Sequence, residues 1–194
     1  MHAEAGRDLK VVLASRSPQR RELLARLGLK FDAVVPGVEE MRGGDPADAV
    51  LESARRKAGA ADAQGALVIG CDTEVVVDGR MLGKPGDEAE ARQFLGALSG
   101  RMHEVLSGLV LLGPERRRIR EGVGRTSVRF RALGEEAIDR YVASGEWRDR
   151  AGGYAIQGLG STLVEGIEGD LSNVIGLPLA LLLELAPELS PAVR

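Results

Sequence analysis

Twice within its first fifty residues the chain runs a short apolar, β-branched stretch toward a capping residue followed directly by proline. LKVVLAS (9–15) leads to Ser17-Pro18, and FDAVVP (31–36) leads through the acidic turn GVEEMRGG to Asp45-Pro46. A serine or aspartate oxygen satisfies a free N–H of a helix's first turn, and proline is tolerated there because its missing N–H would have had no partner. The order strand, helix, strand, helix follows, with the second helix over about 46–63 and ALVIG (66–70) as a buried strand after it.

Further along, VVVDGRMLG places Asp78-Gly79 between apolar flanks, the composition of a two-residue hairpin turn. Asp87 then caps a helix that ends near Ser99-Gly100. HEVLSGLVLLG and the alternating RTSVRFRAL read as longer antiparallel strands, and a helix covers Glu135 to Ser144. The stretch AGGYAIQGLGSTLVEGIEGD is rich in glycine, as backbone bent closely around something would be, and Pro178 starts a last helix. Alternating elements first and hairpins later predict an α/β fold: an elongated mixed β-sheet flanked by helices.

With 194 residues and 44% hydrophobic content, the chain can bury a core as one domain or two tightly fused halves. Its formal charge of −3 gives no global field for nucleic acid or an anionic membrane, so any basic cluster acts locally. A single cysteine, Cys71, excludes an internal disulfide framework, and MHAEAGRDLK has no apolar core of a secretion signal. LPLALLLELA is too short to span a bilayer and reads as a helix docked on the core. These features predict a cytoplasmic protein.

Some charges fall on the wrong faces. In PQRRELLARLG, Arg20 projects to the side of Leu23, Leu24 and Leu27, whereas Arg21 and Arg26 do not. A first-turn guanidinium beside free N–H groups, with Ser15 and Ser17 near, makes a corner for phosphate; the alternative is an arginine snorkelling to the surface. In the next helix Lys57 falls within the stripe of Val50, Leu51, Ala54, Ala58 and Ala61, while Arg55 and Arg56 point away. An inward ammonium needs a carboxylate or an anionic ligand.

Asp72 directly follows ALVIG, which puts it at a strand's C-terminal end, where open α/β sheets place ligands, with Thr73 beside it. Such an aspartate can hold Mg²⁺ or orient water, and Glu39 or Glu40 could add hard oxygens; a plain turn residue is the alternative. Lys84, in GKP after the hairpin, suits a terminal phosphate or is simply an exposed turn lysine. His2 and His103 are too few for a zinc site. The run Arg116, Arg117, Arg118, Arg120 has no stacking aromatics and reads as a solvated hairpin tip. Glu165, Glu168 and Asp170 read as decorations of a glycine-rich rim.

Nearly the whole chain resembles the Maf, or septum formation inhibitor, family. The resemblance is carried by LASRSPQRRELL (13–24), VEE (38–40), Lys57-Ala58, IGCDTEVVVDG (69–79), GKP (83–85), LSGRMHEV (98–105), AGGYAIQGLG (151–160) and NVIGLP (173–178). It implies an inosine-triphosphatase-like α/β fold over residues 1–194 as a single domain of two lobes, with the active-site cleft between them. It also implies hydrolysis of a nucleoside triphosphate to its monophosphate and pyrophosphate.

By the resemblance, Asp72 matches the catalytic aspartate. Ser15, Arg20, Lys57 and Lys84 match phosphate-contacting positions, and Glu40, with Asp72, matches those that bind a divalent metal, Mg²⁺ or Mn²⁺. Gln157 in IQG and Thr73 resemble the branch acting on dTTP and UTP, while Gln19 follows neither that branch nor the one acting on 7-methyl-GTP. The partner is the triphosphate, with no nucleic acid and no membrane, and a homodimer is compatible. Two other readings stand beside this one: a nucleotide-binding regulator of septum formation that acts without turnover, and an inosine or xanthosine triphosphatase.

Overall fold

The computed structural model describes residues 9–115 and 119–191, so Arg116, Arg117, Arg118 and His2 lie outside the described residues. Both cap-plus-proline signals open helices. α1 spans Pro18–Ala25, with the Ser17 hydroxyl accepting the Arg20 N–H, and α2 spans Pro46–Ala60, with Asp45 accepting the Ala47 and Asp48 N–H groups. The apolar runs before and after them become β1 (Val11–Ala14), β2 (Asp32–Val34) and β3 (Leu67–Val77). Asp78-Gly79 turns the chain into the two-residue β4 (Arg80–Met81), both turn residues having positive φ, 51° and 73°.

α3 (Glu88–Leu98) leads to the long hairpin of β5 (Met102–Leu112) and β6 (Ile119–Phe130), and α4 (Glu135–Ser144) follows. The glycine-rich stretch forms two 3-10 turns and then β7 (Val164–Glu168), a strand the sequence pattern does not announce. α5 (Leu171–Ile175) and α6 (Leu179–Leu185) close the fold. Asp170 caps α5 through the Ser172 N–H and so is more than rim decoration.

The seven strands form one mixed sheet in the order β2-β1-β3-β5-β6-β7, with β4 also on β3. β1 is parallel to β2 and β3, and the pairings from β3 through β7 are antiparallel. Helices cover the sheet. α1 and α6 pack Leu23, Leu24 and Leu182 against Val11, Leu13, Ile69 and Leu109; on the other face α2 packs Ala54 and Ala58 against Val12, Val68 and Val110. A further cluster, from Val75 and Phe94 to Phe130 and Trp147, fills the space beneath α3 and α4.

α2 lies unusually close. A Cβ on Gly70 would come within 2.4 Å of the Ala54 carbonyl oxygen, and one on Gly108 within 2.3 Å of the Val50 carbonyl oxygen. Both glycines are required by this approach, which brings Lys57 down onto the sheet. No helix among the described residues is long and apolar enough to cross a membrane.

Candidate active site

β3 is not the short strand that ends before Asp72. It runs unbroken to Val77, so Asp72 stands in mid-strand. The strand continues for a topological reason. β1 accompanies β3 only as far as the pair Ala14–Gly70, and β4 rejoins the same edge at Val76–Met81, while β5 covers the opposite edge from Val68 to Val76. Among the described residues no strand therefore lies beside residues 71–74 on that edge, and both faces of β3 open into the gap. A ligand site in mid-strand thus still lies at the carboxyl end of the parallel part of the sheet.

On one face, Asp72 is met by Lys57 of α2. The ammonium donates to Asp72 Oδ1 at 2.5 Å and to Glu40 Oε1 at 2.7 Å, and both Lys57 and Asp72 are buried. Lys84 stands 3.7 Å from the same Glu40 oxygen. Burial by itself would push the Glu40 carboxyl upward, but the charge and hydrogen bond of Lys57, helped by Lys84 and Arg20, outweigh it and hold the group down at about 2. The inward lysine has its carboxylates, and one of its three protons remains for a ligand.

On the other face, Arg20 turns inward, on the side that the helical spacing gives it, and does not snorkel to the surface: it is only 9% exposed. Its Nε donates to the Gly176 carbonyl at 2.7 Å, Nη1 to Ser15 Oγ at 3.4 Å and Nη2 to Thr73 Oγ1 at 3.0 Å. The Thr73 hydroxyl also lies 2.8 Å from Ser107 Oγ. These bonds fix the guanidinium plane at the mouth of the gap, beside the end of β1 where Ser15 follows Ala14.

Two adjoining cavities of about 380 and 940 Å³ open here. Gln19, Arg20, Glu40 and Lys84 border both; Asp72, Thr73 and Gln157 border the smaller, and Ser15 and Lys57 the larger. All nine site residues named with the family resemblance thus border one or both of these cavities. Gln19 meets the Ser17 hydroxyl, which donates to its Oε1 at 3.1 Å. Cationic and hydroxyl groups gather in the larger cavity and the Gln157 turn rims the smaller, an arrangement that suits an anionic chain with an attached planar group.

Three acidic residues here escaped the sequence reading. Glu74 shares Asp72's side of β3 and accepts the Gly83 N–H at 3.1 Å, which ties down the turn that carries Lys84. Burial, and then the neighbouring Asp72 and Glu40 carboxylates, push the Glu74 carboxyl up to about 7. A second acid two residues on within VIGCDTEVVV was the available signal, since period two places both on one face. Asp149 borders both cavities with a positive φ of 59°, and Glu146 borders the smaller; their loop gives no periodic signal.

The family described as Maf-like protein matches residues 10–189. A protein of Deinococcus radiodurans named dTTP/UTP pyrophosphatase is 48% identical over 179 residues, 91% of each chain. Proteins of the same name from Moorella thermoacetica and Pyrococcus furiosus are 50% and 42% identical, over 91% of this chain and 93% of theirs. Among solved structures, the Ham1 protein of Staphylococcus aureus aligns at 18% identity with a TM-score of 0.45, over 62% of this chain and 71% of that one.

Proposed function

We propose, from the premise that this chain belongs to the Maf-like family, that it is a nucleoside triphosphate pyrophosphatase acting on pyrimidine triphosphates of the dTTP and UTP kind. The observation that carries the reading is the convergence of Lys57, Arg20 and Lys84 with Asp72 and Glu40 at the bare edge of β3. The name shared by its relatives supports the substrate. So does the amide of Gln157 at the cavity rim, because an amide's paired donor and acceptor match the carbonyl and N–H edge of uracil or thymine.

In this reading Ser15, Arg20, Lys57 and Lys84 hold the phosphate chain, while Gln157, Gln19 and Thr73 set the base end. Asp72 orients a water and takes its proton as the water oxygen bonds to the α-phosphorus. The bond from that phosphorus to the bridging oxygen breaks, and the electron pair leaves with pyrophosphate. The preset cations stabilise the charge growing on the departing group without having to reorganise.

A divalent metal fits the donors. Glu40, Asp72 and Glu74 are hard carboxylates close enough to perturb one another, yet among the described residues no three acids, histidines or cysteines form a ready cage. One or two carboxylates with the phosphates completing the shell is how Mg²⁺ is usually held, and Mn²⁺ accepts the same donors. Glu40 and Asp72 would hold it, and it would supply further neutralisation of phosphate charge. The cluster beneath α3 and α4, set apart from the two that pack α1, α6 and α2 on the faces of the sheet, supports a single domain of two lobes with the cleft between them.

The test is product analysis. Purified protein is given dTTP, UTP, CTP, GTP, ITP and 7-methyl-GTP with Mg²⁺ or Mn²⁺, with Asp72→Asn as control. Monophosphate and pyrophosphate, fastest from UTP and dTTP and lost in the variant, are expected. Diphosphate with orthophosphate would mean a different bond is cut, and tight binding without turnover would move the protein to the regulator class.

A further inference from the structure

Behind Gln157 the chain forms a closed turn. The Gly158 N–H donates to the Ala155 carbonyl at 3.2 Å, and a Cβ on Gly160 would lie 2.4 Å from that same oxygen, so the segment 155–160 folds back on itself with Gln157 near its apex. The backbone of the segment is thus closed on itself. What decides where it sits is therefore whatever holds its backbone from outside.

The hydroxyls of Ser161 and Thr162, next along the chain, donate to the Gly158 and Leu159 carbonyls, both at 2.7 Å, and two side chains from further back hold its amides. The Tyr141 hydroxyl accepts the Ala155 N–H at 2.9 Å. Glu146 makes the larger grip: its Oε1 accepts the Leu159 N–H at 3.0 Å and its Oε2 the Gly160 N–H at 3.3 Å. Its carboxylate also fills the space beside Gly158, where a Cβ would come within 2.5 Å of both oxygens. The base of Glu146 is itself fixed. On one side of it Gly145 ends α4 in the left-handed conformation, at φ 74°, and on the other Trp147 is buried with its indole N–H on the Val142 carbonyl at 3.0 Å.

We infer that Glu146 is a positioning residue for base selection: by holding the Leu159 and Gly160 amides and abutting Gly158, it sets the depth at which Gln157 meets the nucleobase. The inference rests on the reading of the 155–160 turn as the base-contacting element. Glu146 itself borders the cavity, but both of its oxygens are engaged by backbone amides, so it acts through the turn. Discrimination between uracil and cytosine, which invert the donor and acceptor at the ring edge, is the property such an error in depth affects most.

The experiment measures kcat and KM for UTP and CTP in the parent, Glu146→Ala, Gly158→Ala, the double variant and Gln157→Ala. Glu146→Ala is expected to raise KM for UTP and to cut the UTP-to-CTP ratio of kcat/KM by roughly tenfold, with kcat at saturation within about threefold of the parent. Gly158→Ala should do the same by pushing the turn off an intact Glu146, and it carries the test if Glu146→Ala fails to fold. Because one contact is broken in both, the double variant should be no worse than the poorer single variant.

An unchanged ratio in Glu146→Ala and Gly158→Ala, a uniform loss of kcat for both substrates, or additive single effects would overturn the inference. If Gln157→Ala abolishes the preference while Glu146→Ala keeps it, only this inference falls. If the parent shows no base preference, or if Gln157→Ala leaves the preference intact, the reading of the turn falls and takes the inference with it.

Discussion

Lys57 and Asp72 meet at 2.5 Å across the contact between α2 and β3, and the same ammonium holds Glu40 at 2.7 Å. One cation thus organises two carboxylates that would otherwise repel, at the point where the sheet edge lies bare. Removing any one of the three alters the charge seen by the other two, and the effects should differ in kind.

Asp72→Asn leaves a neutral amide in a buried site where Lys57 still has Glu40. Activity should fall by roughly 10²- to 10³-fold, carried by kcat with KM little changed, while the thermal midpoint moves little. Steady-state kinetics beside a melting curve check this; a change confined to KM would remove Asp72 from the reacting centre.

Lys57→Ala strands Asp72 and Glu40 together without their shared partner, and breaking a buried pair in this way costs about 3 kcal/mol or more in stability. Glu40 should then lose its depressed ionisation, and its carboxyl should move up from about 2. Urea unfolding and an NMR titration of the side-chain carboxyl carbons give the two readouts.

Thr73→Val removes the oxygen on which Arg20 Nη2 rests, while the bonds of Arg20 to Gly176 and Ser15 remain. The guanidinium keeps its charge but gains freedom. KM for the triphosphate should rise several-fold, on the order of 1 kcal/mol of lost interaction, with a smaller change in kcat. An unaltered KM would show that the hydroxyl does not set the arginine.

Gly108→Ala introduces a Cβ within 2.3 Å of the Val50 carbonyl oxygen, which forces α2 away from the sheet. Destabilisation of about 1–3 kcal/mol is expected. Because α2 carries Lys57, the folded variant should also lose activity, whereas an equally disruptive change in the α6 contact, Leu182→Ala, should lower stability with activity largely retained.

His103 is buried between Phe130 and Tyr154, with Nε2 2.9 Å from the Tyr154 hydroxyl, and burial holds it down at about 4 against an ordinary 6.5. The unfolded chain therefore binds a proton between these values that the folded chain refuses. Its contribution to stability is complete above pH 6.5 and is lost as the pH falls toward 4, by on the order of 3 kcal/mol. His103→Phe should flatten this part of the acid decline, as read from urea midpoints at pH 7.5, 5.5 and 4.5.

The sequence alone determined what is local or periodic. Ser17-Pro18, Asp45-Pro46 and Asp78-Gly79 carry their own backbone chemistry, and each gave the element it announced. Helical spacing aimed Arg20 and Lys57 inward, because 100° per residue fixes a face whatever the fold. The tertiary structure alone decided which edge of β3 lies bare, that Asp72 sits in mid-strand, that Lys57 bridges Glu40 and Asp72, and that Glu146 grips the turn behind Gln157. Each of these depends on where β1 stops and β4 rejoins, on how closely α2 settles over Gly70 and Gly108, or on a backbone amide meeting a side chain from another loop. Strand register and loop contact of that kind leave no period in the chain, so residue spacing names the faces and only the folded sheet names the gaps.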